Sequence, residues 1–295
     1  MKKVVVIADV YQSVGQVHRD VANALSDEYE FTFYDQSSFM LEEVKNELAT
    51  CDICLVTPNI QESVIEILHL FTPQDQKKLV SVCHDFADDY ITKRWSEHVN
   101  YGVLSDVLTP FFPVRTQVVS NGVNVSAFER KLVSGDVTTL GWCGAMQSHH
   151  ERSDWVFEIA RRTKMPVSIA DGIPNQLRNE WYHMVDILLI TSGPESYRET
   201  GPLQSFEAIL SGTVAIGTNV GNFRHVPGPK FTTIDEAVQI VTDLKSNPES
   251  VKRLAEEQFA FVVEHYTYKV LAASWKQLFA SAIESQKTLV VEPEK

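Results

Sequence analysis

Glu199 and Glu207 stand eight positions apart, with a Gly201-Pro202 break after the first and an apolar run, Phe206 to Leu210, around the second. Gly-Pro can open a helix, because proline is tolerated where its missing N–H would have had no partner. The free N–H groups of the first helical turn, near Gly201 and Leu203, then face an anion such as a diphosphate. Loop plus helix would part the two carboxylates by roughly 10 Å at helical rise, a span that fits the two sugars of a nucleotide sugar. A carboxylate accepts hydrogen bonds from sugar hydroxyls. Two glutamates near the start of an amphipathic helix are more often a macrodipole complement and a solvated face, so the pair does not decide the matter alone.

Other residues of the right type fall at strand ends. Gly15 follows a first apolar run, Val4–Ala8, and precedes a helical pattern ending near Leu25; it would let backbone approach a ligand at a helix N-terminus. A lone glycine is as often a turn, and no full Gly-x-Gly-x-x-Gly follows any strand, which disfavours a dinucleotide-dependent dehydrogenase. His84-Asp85 follows the run Leu79–Cys83, at the end where α/β sheets place ligands, although a lone histidine is more often structural. Arg152, beside His149-His150-Glu151, could give phosphate a fixed cation. Adjacent histidines rarely converge on one ion, so these three read as loop and no metal site is expected. Trp181 and Tyr182 read as packing.

The elements that must position these residues alternate. Short β-rich runs at Val4–Ala8, Phe31–Tyr34, Ile53–Thr57, Leu79–Cys83 and Val118–Val119 are followed by Thr138–Trp142, Val167–Ala170, Ile187–Ile190, Val214–Gly217 and Phe231, with helical patterns between them. Such alternation predicts parallel sheets flanked by helices, hence an α/β chain of two Rossmann-like lobes. The turn dipeptide in Ser120-Asn121-Gly122-Val123 marks the boundary, giving lobes 1–122 and 123–267, the second strand series opening near Asp136. Helices are predicted over Ile234–Leu244, from Ser250 after the Asn247-Pro248-Glu249 punctuation, and over Tyr268–Ser285. The segment from Gln286 should fray.

Composition sets outer limits. The 295 residues carry 26 Lys plus Arg against 39 Asp plus Glu, a net charge of −13, which disfavours a generic nucleic-acid or anionic-membrane binder. No apolar run approaches the ~20 residues of a membrane span. The first strand is too short and too soon charged for a secretory signal. Cys51, Cys54, Cys83 and Cys143 lie in or beside apolar runs, and Cys51-Asp52-Ile53-Cys54 has no second pair to complete a zinc site. Reduced thiols and a cytoplasmic location are expected, leaving the Asn124-Val125-Ser126 sequon idle.

The stretch from Glu199 to Gly217 resembles the signature of retaining glycosyltransferases of the GT-B fold, family 4-like (glycosyl transferases group 1), typified by sucrose and glycogen synthases. There the pattern runs Glu, seven residues, Glu-Ala, a small residue, Gly and an apolar strand; here Glu199, Glu207-Ala208, Ser211-Gly212 and Val214–Gly217 match it. Asn121-Gly122-Val123-Asn124 with Phe128 resembles the end of that family's N-terminal domain. The resemblance implies a GT-B fold whose last segment, 268–295, crosses back to the first lobe. It implies sugar transfer, with retention, from a nucleotide-diphosphate donor held mainly by the second lobe to an acceptor in the first. No cofactor and no metal are implied.

The resemblance also assigns roles. Glu199 would contact the transferred sugar and Glu207 the ribose, with Gly201 and Leu203 offering backbone N–H groups. Arg152 and the Gly15 loop would face the diphosphate, and His84 would lie near the sugar. Asp171-Gly172 would end a strand beside the base. Three departures stand out: Val14 where most members have glycine, Thr191 for a proline, and Gly141-Trp142-Cys143-Gly144 without the strand-end arginine. Glu195 lies at the usual distance after Ser192, but Glu199 has the spacing to Glu207 and to the Gly201 turn, so Glu199 is chosen and Gly193–Arg198 is read as an insertion. Competing readings are a GT-B-fold sugar-nucleotide epimerase and a non-catalytic nucleotide-sugar-binding protein. The acceptor stays open: a glycan, a lipid-linked sugar, a small molecule or a modified DNA base.

Overall fold

The computed structural model describes residues 1–8, 13–35, 41–56, 72–84, 98–112, 115–193 and 199–287. The chain divides into two units, one made of Met1–Gly122 and Tyr268–Lys295, the other of Val123–Thr267.

The first unit is built on a parallel sheet of β1 (Lys2–Ala8), β2 (Tyr29–Asp35), β3 (Ile53–Val56), β4 (Leu79–Cys83), β5 (Asn100–Val103) and β6 (Thr116–Val118), in the order β2-β1-β3-β4-β5-β6. Its strands pair in parallel throughout. The inner strands β3 and β4 are buried along their whole length, as expected when helices cover both faces. β5 escapes sequence reading because Asn100-Tyr101-Gly102-Val103 offers four residues and a glycine. Gly102 is required by packing: a Cβ there would lie 2.8 Å from the Leu278 side chain and 3.0 Å from Val82.

Helices α1 (Ser13–Ala24), α2 (Leu41–Thr50) and the short α3 (Pro73–Gln76) belong to this unit. The chain's last helix, Tyr268–Gln286, also belongs here. It places Leu271, Trp275, Leu278 and Phe279 in the interior, and Trp275 Nε1 donates to the Ser120 carbonyl at 3.2 Å. Gln286, expected to fray, closes this helix and donates its side-chain amide to the Asp52 carbonyl at 2.9 Å.

The second unit carries a parallel sheet of β7 (Leu140–Cys143), β8 (Val167–Ala170), β9 (Ile187–Ile190) and β10 (Val214–Gly217), in the order β10-β9-β7-β8. Phe231 does not build a fifth strand. Lys230 forms a single bridge with Gly217, and the Phe231 N–H donates to the Gly217 carbonyl at 3.0 Å while its ring is buried. The helices are α4 (Ser153–Thr163), α5 (Asn175–His183), α6 (Leu203–Leu210), α7 (Ile234–Lys245) and α8 (Pro248–His265). Helix Tyr268–Gln286 is α9. α8 starts two residues before the expected Ser250, because Asn247 accepts from the Ser250 N–H and Pro248 takes the first turn. α7 opens on a full capping box, Thr233 with Glu236.

Buried Phe206, Ile209 and Leu210 of α6 pack with Leu188 and Ile190 of β9, Ala215 of β10 and Val262 of α8. A second cluster holds Leu140 and Trp142 of β7 against Val156 and Ile159 of α4 and Val241 of α7. Burying each such aliphatic side chain contributes about 1.5–3 kcal/mol. The consequence for function is a rigid platform: the carboxyl ends of β7, β9 and β10 are fixed from beneath.

Candidate functional site

The carboxyl ends of β7, β9 and β10 hold Glu199 through Thr191, Ser192 and Thr218. Past β9, the Thr191 hydroxyl donates to the Glu151 carbonyl at 2.6 Å and accepts from Trp142 Nε1 at 3.2 Å. The threonine that stands for proline therefore ties the end of β7 to the loop before α4. Ser192 follows and donates its hydroxyl to Glu199 Oε2 at 3.4 Å. The Thr218 hydroxyl, past β10, donates to the Ser192 carbonyl at 2.6 Å. Glu199 is thus held at the end of β9, beside the end of β10. Residues 194–198 of the expected insertion Gly193–Arg198, Glu195 among them, lie outside the described residues, as does Asp85.

The Glu199-Thr200-Gly201 turn is pinned from the other side. The Asn222 N–H donates to the Thr200 carbonyl at 2.8 Å, and Gly221 adopts φ +40°. A Cβ on Gly221 would fall 2.3 Å from the Thr200 oxygen and 2.5 Å from that of Glu199, so only glycine permits this approach. α6 then begins at Leu203, with Pro202 as its N-cap residue rather than its first helical one and with no side-chain cap. The Ser205 N–H already bonds the Pro202 carbonyl. Leu203 and Gln204, both partly exposed, lead a helix whose first N–H groups have no intrahelical acceptor.

Glu207 lies one turn into α6, with 9% of its surface exposed. Its carboxylate meets Arg178 Nη1 at 2.9 and 3.2 Å and accepts from the Tyr182 hydroxyl at 2.9 Å. Arg178 and Tyr182 are four residues apart on α5, hence on one helix face. Sequence reading missed both partners. The sequence assigns Tyr182 to packing, and its ring is fully buried, while its hydroxyl also donates to the Glu207 carboxylate. The i, i+4 spacing of an arginine and a tyrosine was the available signal. Burial, with Glu207 next to it, holds the Tyr182 hydroxyl well above the ordinary phenol range, so it stays a donor. The Cys143 thiol, at the end of β7, is pushed up to about 11, chiefly by burial, and is no nucleophile at neutral pH.

Arg152 caps α4 in a left-handed conformation, φ 49° and ψ 51°, with its guanidinium 4.6 Å from the Trp155 ring centre. It stands at the positive end of an 11-residue helix. Glu151 Oε2 accepts the Ala145 N–H at 2.9 Å, and burial raises its pKa. Among the described residues no group of three or more His, Cys, Asp and Glu could hold a metal ion. No helix among them is long and apolar enough to cross a membrane.

His84 and Gly15 belong to the first unit. Gly15 lies in the first turns of α1, past the strand-to-helix turn where it was expected. His84 is buried, and its ring meets that of His18 edge-on at 5.3 Å. His18, from α1, is fully buried and meets Trp275 at 5.9 Å. Burial lowers His84 to about 3 and takes His18 well below its ordinary value, with His84 and Arg19 adding to the latter. Both rings are neutral at physiological pH. His84 is therefore not an acid–base group poised near neutrality.

Neither a family model nor a curated protein matches the sequence. Solved structures do match over nearly the whole chain. The Anabaena protein Alr3699/HepE, in complex with UDP and glucose, superposes with a TM-score of 0.75 at 11% identity, covering 95% of this chain and all of that one. The catalytic domain of Arabidopsis thaliana starch synthase IV, bound to ADP and acarbose, gives 0.68 at 10% identity, covering 96% and 99%. A DNA-modifying β-glucosyltransferase gives 0.60 at 13% identity, covering 96% and 99%. The fold is GT-B. At these identities the likeness establishes the architecture, and chemistry must be argued from the residues.

Proposed function

We propose that this chain is a nucleotide-sugar-dependent glycosyltransferase, family 4-like, that transfers a hexosyl or pentosyl group with retention at the anomeric carbon. The observation that carries the reading is the pinned Glu199 turn leading straight into α6 and its anchored Glu207. A diphosphate at the start of α6 would meet backbone N–H groups near Gly201 and Leu203 and the positive end of the helix dipole. Glu199, at the end of β9, would take hydroxyls of the transferred sugar, and Glu207 a ribose hydroxyl. Arg152, at the start of α4, would add a cation on the diphosphate.

When the bond from the anomeric carbon to the diphosphate oxygen breaks, its electron pair leaves on the phosphate. Preorganised N–H groups and cations aimed at that charge lower the barrier without reorganising. Glu199 acts by positioning and electrostatics and need not attack carbon. No cofactor enters the scheme and no metal is required for turnover. Gly15, in the first turn of α1, would serve the donor phosphates. His84 would lie near the transferred sugar as a neutral imidazole. HepE and starch synthase IV, which share the fold, were captured with UDP or ADP, and this supports a nucleoside diphosphate as the leaving group here. The acceptor is unassigned.

The test is a pair of substitutions. Glu207→Ala should weaken donor binding, and Glu199→Gln should chiefly lower turnover. Unchanged donor affinity in the first together with an unchanged rate in the second would refute the site.

A further inference from the structure

The Glu207–Arg178 pair engages only part of the guanidinium. Nη1 alone faces both carboxylate oxygens, while Nε is buried and finds no acceptor among the described residues. An arginine kept for stability would present its fork, two parallel N–H groups on two oxygens, and a buried N–H left unmet is costly. The arrangement sacrifices the fork to keep the guanidinium where it is. That place has meaning in the site: Arg178 enters from the first turns of α5, just past the end of β8, and its charge is felt at the Cys143 thiol on the end of β7. This is the strand end at which the sequence offers Gly141-Trp142-Cys143-Gly144 and no cation. On the other side, Tyr182 takes the second carboxylate oxygen, so Glu207 is gripped from one helix face by a cation and a phenol.

We propose that Arg178 is a positioning residue for nucleotide binding: entering from α5, it supplies the positive charge that the end of β7 lacks, and it keeps Glu207 ionised and oriented toward a ribose hydroxyl. The inference rests on the donor-site reading above. Without the guanidinium, a carboxylate this buried and facing a phenol takes up a proton more readily. Nucleotide affinity then acquires a pH dependence that the wild type lacks, improving as pH rises and Glu207 ionises again. A bridge that merely fastened α5 to α6 would leave no such signature.

The experiment is calorimetric titration of the wild type, Arg178→Met, Arg178→Lys, Glu207→Gln and the double variant Arg178→Met/Glu207→Gln with UDP, GDP and ADP as probes, between roughly pH 6 and 9. The wild type should bind one of the three with a pH profile that follows only the ionisation of the nucleotide phosphate, the baseline against which the variants are read. Arg178→Met should be about tenfold weaker at the acid end and recover in part at the alkaline end, the remaining loss being that of the positive charge itself. Arg178→Lys should stay close to wild type, and the double variant should be weak at every pH. An Arg178→Met protein weakened equally across the range, or not weakened, overturns the inference and leaves the donor site standing. Should Arg178→Met not fold, Glu207→Gln decides: weak binding with the wild-type pH profile is expected, and wild-type affinity overturns the inference. A folded wild type that binds none of the three probes removes the donor site itself, and the inference with it.

Discussion

At the residue scale, the molecule sorts its carboxylates by partner. Glu207 is buried and met by a cation and a phenol, whereas Glu199 is partly exposed and meets a serine hydroxyl. Their spacing was legible in the sequence, because seven residues and a Gly-Pro break are read directly. Arg178 was not, because an ion pair between two helices depends on how α5 and α6 pack. Glu207→Ala should also cost stability, about 2 kcal/mol after discounting the partial exposure of Arg178, since the guanidinium loses its counter-ion; urea midpoints measure this. The buried histidines give a second prediction. Their folded pKa values lie below the ordinary 6.5, so the unfolded chain binds the extra protons. The stability they leave intact is fully present above pH 6.5 and is lost as pH falls toward about 3 for His84. Each contributes up to ~1.4 kcal/mol per pH unit in that window, and His18→Leu should lessen the slope of urea midpoint against pH by one such share. An unchanged slope would mean His18 is not buried neutral.

At the element scale, what was legible followed from burial. Leu79–Cys83, Val167–Ala170, Ile187–Ile190 and Val214–Gly217 were bounded correctly, because short apolar runs between breakers have few other uses. β5 was missed because Gly102 serves α9 packing, a tertiary demand that weakens the local strand signal. Phe231 reads as a strand because buried apolar character is shared by core residues that make no more than a single bridge to the sheet. Two loop devices matter more than their sequences suggest. Gly221→Ala should displace the Glu199–Thr200 turn, destabilise by roughly 2 kcal/mol or more and depress turnover beyond what that loss explains. Thr191→Val strips the Trp142 indole of its acceptor and the Glu151 carbonyl of its donor; about 1–3 kcal/mol should be lost, and donor affinity should fall as the loop before α4 loosens. Activity assayed well below each variant's melting point separates loop placement from global unfolding.

At the scale of the whole molecule, an architecture shared at 10–14% identity shows how little sequence is needed to specify two parallel sheets. Alternating buried strands and amphipathic helices suffice for two parallel-sheet lobes to be read from the sequence, whereas the GT-B class comes from the resemblance of the Glu199–Gly217 stretch. The proposed donor chemistry is narrower, resting on a few strand-end residues in the second unit. Acceptor chemistry is set by surfaces that a net charge of −13 constrains only broadly, making a bare polyanion an unfavourable guest. The central claim is that this chain binds and activates a nucleotide sugar without metal. Incubating the purified protein with UDP-, GDP-, ADP- and CMP-sugars, with and without EDTA, while following thermal stabilisation and release of free nucleotide, tests it most directly. One donor should raise the melting temperature and be slowly hydrolysed at a rate EDTA leaves unchanged. No stabilisation by any donor, or release abolished by EDTA, would contradict the account.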